Sequence, residues 1–193
     1  MDRRPDGRRG CTRHVMAELF RVCWSATFAK QEKPAEDPKA LRNLSYGLFV
    51  ITAKDDKDYG FIANTCVQVA NDPTHLAISV QMGNKTREII EKTGQFNVSA
   101  LTEDVSFETI RHFGMQTSRD VDKFADFTAC ERSANGINYI VGPTNAMFSC
   151  KVLNKKNLGS HMMFIAEVTE SKVLSNKPSC TYAHYHKAVK PKF

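Results

Sequence analysis

The sequence predicts a mainly β domain: an antiparallel β-barrel with two or three helices set between its strands. Short apolar segments recur at regular intervals from Leu48 to Leu174, and Gly, Pro, Asn or Asp clusters mark the turns between them. No G-x-G-x-x-G run occurs, which argues against a doubly wound dinucleotide fold. At 193 residues and 41% apolar composition, the chain can bury one sizeable core, and a second is not expected.

The elements follow in order. Asp37 is suited to cap a short helix that has Pro38 at its first position and carries Ala40, Leu41 and Leu44, so the domain is expected to span residues 38–190. After Gly47 comes a strand, Leu48 to Ala53, and the charged run Asp55 to Asp58 marks a turn. A strand from Phe61 to Val69, a turn at Asn71-Asp72-Pro73 and a strand from Thr74 to Met82 lead through Gly83 into a helix over Asn84 to Thr93. That helix sets Ile89 and Ile90 on one side and ends where Gly94 suits the C′ position. Phe96, Val98 and Ala100 alternate with Asn97 and Ser99 as a half-buried strand does. A helix around Val105 to Phe113 gives way near Gly114 to the polar loop MQTSRDVDKF. Strands Ala146 to Leu153 and Met162 to Leu174 follow, and Thr181 to Tyr185 reads as a last short strand. His184 and His186 would share a face of it, without a third ligand for a metal.

Residues 1–37 read as an extension: an Arg-rich polar start, an amphipathic helix from Val15 to Lys30 and a linker from Gln31 to Asp37. An organelle-targeting peptide and a true start at Met16 both fit, with the cytoplasm as the default location. Seven Lys/Arg and three acids fall in residues 1–30, so most of the net +6 charge sits there, and a nucleic-acid-binding body is poorly supported. The six cysteines include no C-x-x-C pair, and they read as buried thiols of a reducing compartment. No run of about 18 apolar residues is present to span a membrane.

The chemistry is concentrated after Gly83. A helix start has unpaired N–H groups and positive dipole character, and Asn84, Lys85, Thr86 and Arg87 crowd this one, a set suited to a phosphate. It is not a nucleotide P-loop, because an apolar strand stands where that motif needs its first glycine. From the residues alone, an ordinary capped surface helix fits as well.

The segments ALRNLSYGLFVITA, YGFIANT, QVANDPTHLAISV, NKTREIIEKTGQFNVSAL, HFGMQTSRDVDKF and GSHMMFIAEV, in that order, resemble the flavin reductase-like proteins with an FMN-binding split barrel. Within that group the likeness is strongest to the reductase module of high-molecular-weight rubredoxin and of flavoredoxin. The resemblance implies a Greek-key split barrel, FMN as cofactor, NADH or NADPH as co-substrate, and a homodimer. It implies that Ile62, Ala63, Asn64, Thr65 and Cys66 lie along the flavin and that Asn84, Lys85 and Thr86 meet its phosphate. Ser79 is a weaker candidate by the same logic. The resemblance sets His161 beside the flavin, to orient a nicotinamide or to place a donor near the reduced ring, and brings Phe113 and the loop Ser118 to Phe124 towards the ring and ribityl chain. Arg119 and Lys123 would complement phosphate charge there. Each position also has a plainer reading: a bulge or satisfied amide at Asn64, core at Ser79, a strand-edge histidine at His161, a solvated loop at Arg119 and Lys123. The implied function is an FMN-binding flavin reductase that passes electrons to a free flavin or to a redox protein of rubredoxin or flavodiiron type. The alternatives are an FMN electron carrier that never meets NAD(P)H and a non-enzymatic β-barrel binding module.

Overall fold

The computed structural model describes residue 37 and residues 39–191. The expected helix from Val15 to Lys30 and the segments beside it lie outside the described residues. The first turn, Ala40–Asn43, is 3-10 rather than α, with Leu41 and Leu44 exposed.

One seven-stranded antiparallel sheet organises the chain from there on. Its strands are β1 (Phe49–Lys54), β2 (Asp58–Ala63), β3 (Cys66–Asn71), β4 (Thr74–Gln81), β5 (Gln95–Leu101), β8 (Thr144–Asn157) and β9 (His161–Val173). They lie in the order β2-β1-β5-β8-β9-β4-β3. A separate hairpin pairs β6 (Cys130–Arg132) with β7 (Asn138–Ile140). Helix α1 (Lys85–Thr93) joins β4 to β5, and α2 (Phe107–Gly114) follows β5.

The strand expected from Phe61 to Val69 is two strands, interrupted at Asn64 and Thr65. β2 pairs with β1 and β3 with β4, at opposite ends of the strand order. Only two residues separate the outermost strands, so the sheet must curl until its edges approach. β2 and β3 share no ladder, so the seam stays open and the barrel is split. Register irregularities at Ser149/Cys150 and Val152/Asn154 bend the long strand β8, which pairs with β5 and β9 at once.

Alternation along β1 sends Ile51 and Ala53 to the barrel interior, with Ile78, Val80, Phe96, Val98 and Phe164, and there Ile89 and Ile90 of α1 close the cluster. Leu48 and Val50 face the other way, towards Ile110 and Phe113 of α2, with Ile140 and Tyr185. Gly60 permits this second packing, since a Cβ there would stand 3.1 Å from the Phe113 ring and 3.3 Å from that of Phe124. The segment expected as a last strand is instead a short helix α3 (Tyr182–His184), continued by a π-helical turn, Tyr185–Val189. Thr181 caps it by accepting the His184 N–H at 3.0 Å, a local hydrogen bond that diverts the chain from extension.

Candidate functional site

A cleft of about 510 Å³ opens beside the seam, within the size range of small-molecule sites. Phe61 to Asn64 form one wall, Ser79 and Gln81 of β4 another, and the Gly83–Lys85 turn a third. The end of α2 with Met115 to Ser118 and Lys123, together with Leu48, His161, Tyr182 and Tyr185, completes the lining. Of the residues expected from the sequence, Ile62, Ala63, Asn64, Ser79, Asn84, Lys85, Phe113, Lys123 and His161 line this one cavity. Arg119 does not, and neither do Thr65, Cys66 and Thr86.

Physical causes account for those three. The Thr65 hydroxyl donates to Asn64 Oδ1 at 3.1 Å, which also holds the Asn64 amide in place. Cys66 opens β3 and packs against the barrel core, where burial pushes its thiol up to about 12, so it stays protonated and unreactive. Thr86 is fully buried in the first turn of α1, and its Oγ1 has no hydrogen-bond partner.

The turn itself is partly committed to protein. Asn84 caps α1, its Oδ1 accepting the Thr86 N–H at 2.8 Å, while its own N–H donates to Gln81 O at 3.0 Å. Lys85 Nζ reaches Glu88 at 3.0 Å, and Arg119, expected to meet phosphate, is paired with the same carboxylate. Lys85 first and Arg119 second hold the Glu88 carboxyl below the usual range, so it stays ionised between two cations. A Cβ added at Gly83 would meet nothing within 4 Å, so the turn has open space beside Lys85.

Lys123 is not a solvated loop cation. It is 3% exposed, and Nζ donates to Phe113 O at 2.7 Å and to Gly60 O at 3.0 Å. The ammonium thus caps the carbonyl end of α2 and ties that helix and the loop to β2. Burial pushes its pKa down to about 8. His112 fastens the same loop, with Nε2 at 2.7 Å from Lys123 O and its ring stacked on Phe127.

His161 begins β9 opposite Gln81, so both side chains reach the cleft from neighbouring strands. Its Nδ1 lies 2.9 Å from Ser160 Oγ, and among the described residues Nε2 has no hydrogen-bond partner. Sequence reasoning missed Gln81, Tyr182 and Tyr185. Gln81 could have been read from its place two residues after Ser79 on the same strand face, but nothing in the local sequence marks the tyrosines.

Residues 41–191 match the flavin reductase like domain family. The chain belongs to that family. Over 151 residues it is 37% identical to the high molecular weight rubredoxin of Moorella thermoacetica, covering 78% of this chain and 66% of that protein's length. Over 151 residues it is 30% identical to the ferric-chelate reductase (NAD(P)H) of Archaeoglobus fulgidus, covering 78% of this chain and 89% of that one. In fold it matches the FMN-binding protein from Thermus thermophilus, with a TM-score of 0.67 at 16% identity, over 78% of this chain and 88% of that one.

The cleft suits the flavin that membership of this family implies. The helix start at Asn84 and Lys85, with open space at Gly83, suits a phosphate, which would compete with Glu88 for the Lys85 ammonium. Asn64, Ser79 and Gln81 offer amide and hydroxyl groups to the edge of a heterocycle. Among the described residues no group of three His, Cys, Asp or Glu could hold a metal ion, and no helix is long and apolar enough to cross a membrane.

Proposed function

We propose that this flavin reductase-like protein is an NAD(P)H:flavin oxidoreductase with FMN as its cofactor. The observation that carries the reading is that the helix start at Lys85 and the strand break at Asn64 open into one cavity together with His161. Asn84 and Lys85 would hold the phosphate, Asn64 and Ser79 the ring edge, and the backbone from Ile62 to Asn64 the ring face. Bound there, the flavin supplies the redox chemistry: it accepts hydride from reduced nicotinamide and donates electrons onward.

The residues of the chain bind, orient and exclude water. Phe61, Ile62 and Phe113 give the cleft apolar walls that limit reaction with solvent. His161, which lines the cleft, would donate to or accept from the carboxamide of a nicotinamide through Nε2. The electrons would go to a free flavin or to a redox protein of rubredoxin or flavodiiron type, a reading that the rubredoxin name of the Moorella relative supports. A homodimer belongs to the same reading, since Val67 and Val69 are 52% and 51% exposed on the edge strand β3. The cytoplasm is the matching compartment, and Cys66, Cys130, Cys150 and Cys180 are free thiols.

Anaerobic titration of the flavin-loaded protein with NADH and NADPH is the test. At least one nucleotide is expected to bleach the visible flavin band within seconds. Bound flavin that millimolar nucleotide leaves oxidised would make the protein an electron carrier served by another reductase.

A further inference from the structure

We infer that Tyr182 is the platform on which a planar ring of the reduced nicotinamide dinucleotide rests during reduction of the flavin. The inference rests on the reductase reading and concerns a part of the cleft that the flavin contacts leave unused.

Tyr182 and Tyr185 line the cleft with Leu48, on a wall built by the C-terminal segment. That wall is fixed to the barrel by backbone hydrogen bonding. Thr181 bridges Gly47 in antiparallel fashion, and the Tyr182 N–H donates to Tyr46 O at 2.8 Å. Tyr185 is 8% exposed within the second core cluster, so its role is packing. Tyr182 is 36% exposed.

Other rings hold the Tyr182 ring in place. Tyr46 meets it edge-on at 6.5 Å, His186 edge-on at 4.5 Å, and Tyr185 lies nearly parallel at 6.1 Å. An aromatic side chain that already packs among other rings, lines a cavity and stays partly open loses little conformational entropy on stacking with a second ring. The phosphate and hydrogen-bonding groups that suit the flavin lie on other walls, at Asn64, Ser79, Asn84 and Lys85. The ring surface at Tyr182 is therefore left for the second reactant, whose nicotinamide and adenine are both planar.

The full-length protein loaded with flavin provides the test. Tyr182→Leu is expected to raise KM for the reduced nucleotide about two- to tenfold, as loss of one stacking contact would, with flavin Kd changed less than twofold. Tyr182→Phe, which keeps the ring, should recover most of the loss. An unchanged KM in Tyr182→Leu, or a parallel rise in flavin Kd, would overturn the inference. If Tyr182→Leu fails to fold, Tyr182→Trp reports directly. NAD⁺ should quench the new indole emission beyond the background of Trp24, and absence of quenching rejects the platform. Failure of the reductase reading looks different, because the unaltered protein then shows no bleaching by nucleotide.

Discussion

Lys123 stands in the sequence beside Asp120 and Asp122, neighbours that mark a solvated loop, yet its ammonium is buried against the Gly60 and Phe113 carbonyls. Sequence cannot reveal this, because the two acceptors come from a strand some sixty residues earlier and from a helix end, and only the fold brings them to one point. Its charge has a pH signature. The folded pKa, about 8, lies below the value of 10.5 expected of an exposed lysine, so between them the unfolded chain binds more protons. Lys123 therefore costs stability most fully below pH 8, and the cost fades as pH rises towards 10.5. Urea unfolding of the wild type and of Lys123→Met at pH 7.5, 9 and 10 should show the wild type gaining on the variant with pH. A difference independent of pH would contradict the burial. Asn84 is the opposite case: a cap immediately before a periodic apolar run is a local signal, and it was legible.

At the scale of elements, period and punctuation located helices α1 and α2 and most strands to within a few residues, because their signals lie inside each segment. The break at Asn64 and Thr65 was not legible as a break. Asn64 is an unusual strand residue, but the β-branched run continues past it, and only closure of the sheet makes the chain change edges there. The β6–β7 hairpin went unread because three-residue strands carry no periodicity. Long-range polar bonds dock it instead: Asn97 Nδ2 donates to Ile137 O at 3.0 Å, and the Asn138 N–H donates to Asp58 Oδ1 at 3.0 Å. The contact between β2 and α2 is close enough to test. Gly60→Ala should cost about 1–3 kcal/mol, because a methyl 3.1 Å from the Phe113 ring forces that ring or β2 to shift. A denaturant midpoint equal to that of the wild type would show that the packing yields more readily than its geometry implies.

At the scale of the whole molecule, curling the sheet brings distant parts of the chain to one cavity. Residues from β2, β4, the turn before α1, the end of α2 and the start of β9 reach it, and α3 adds Tyr182 while the π-helical turn adds Tyr185. Order of motifs along the chain was enough to suggest the family, and most of the positions expected at the site line the cleft. The C-terminal wall was not foreseen, because a capped helical turn and a short strand look alike over five residues. On the proposed reading, the turn after Gly83 grips a flavin phosphate through Lys85. The most direct measurement compares Kd for FMN with Kd for riboflavin, in the wild type and in Lys85→Ala. FMN should bind the wild type at least about tenfold more tightly than riboflavin, as a charge-assisted contact would give, and Lys85→Ala should remove most of that preference. Equal affinities in the wild type, or a preference that Lys85→Ala leaves intact, would contradict the account.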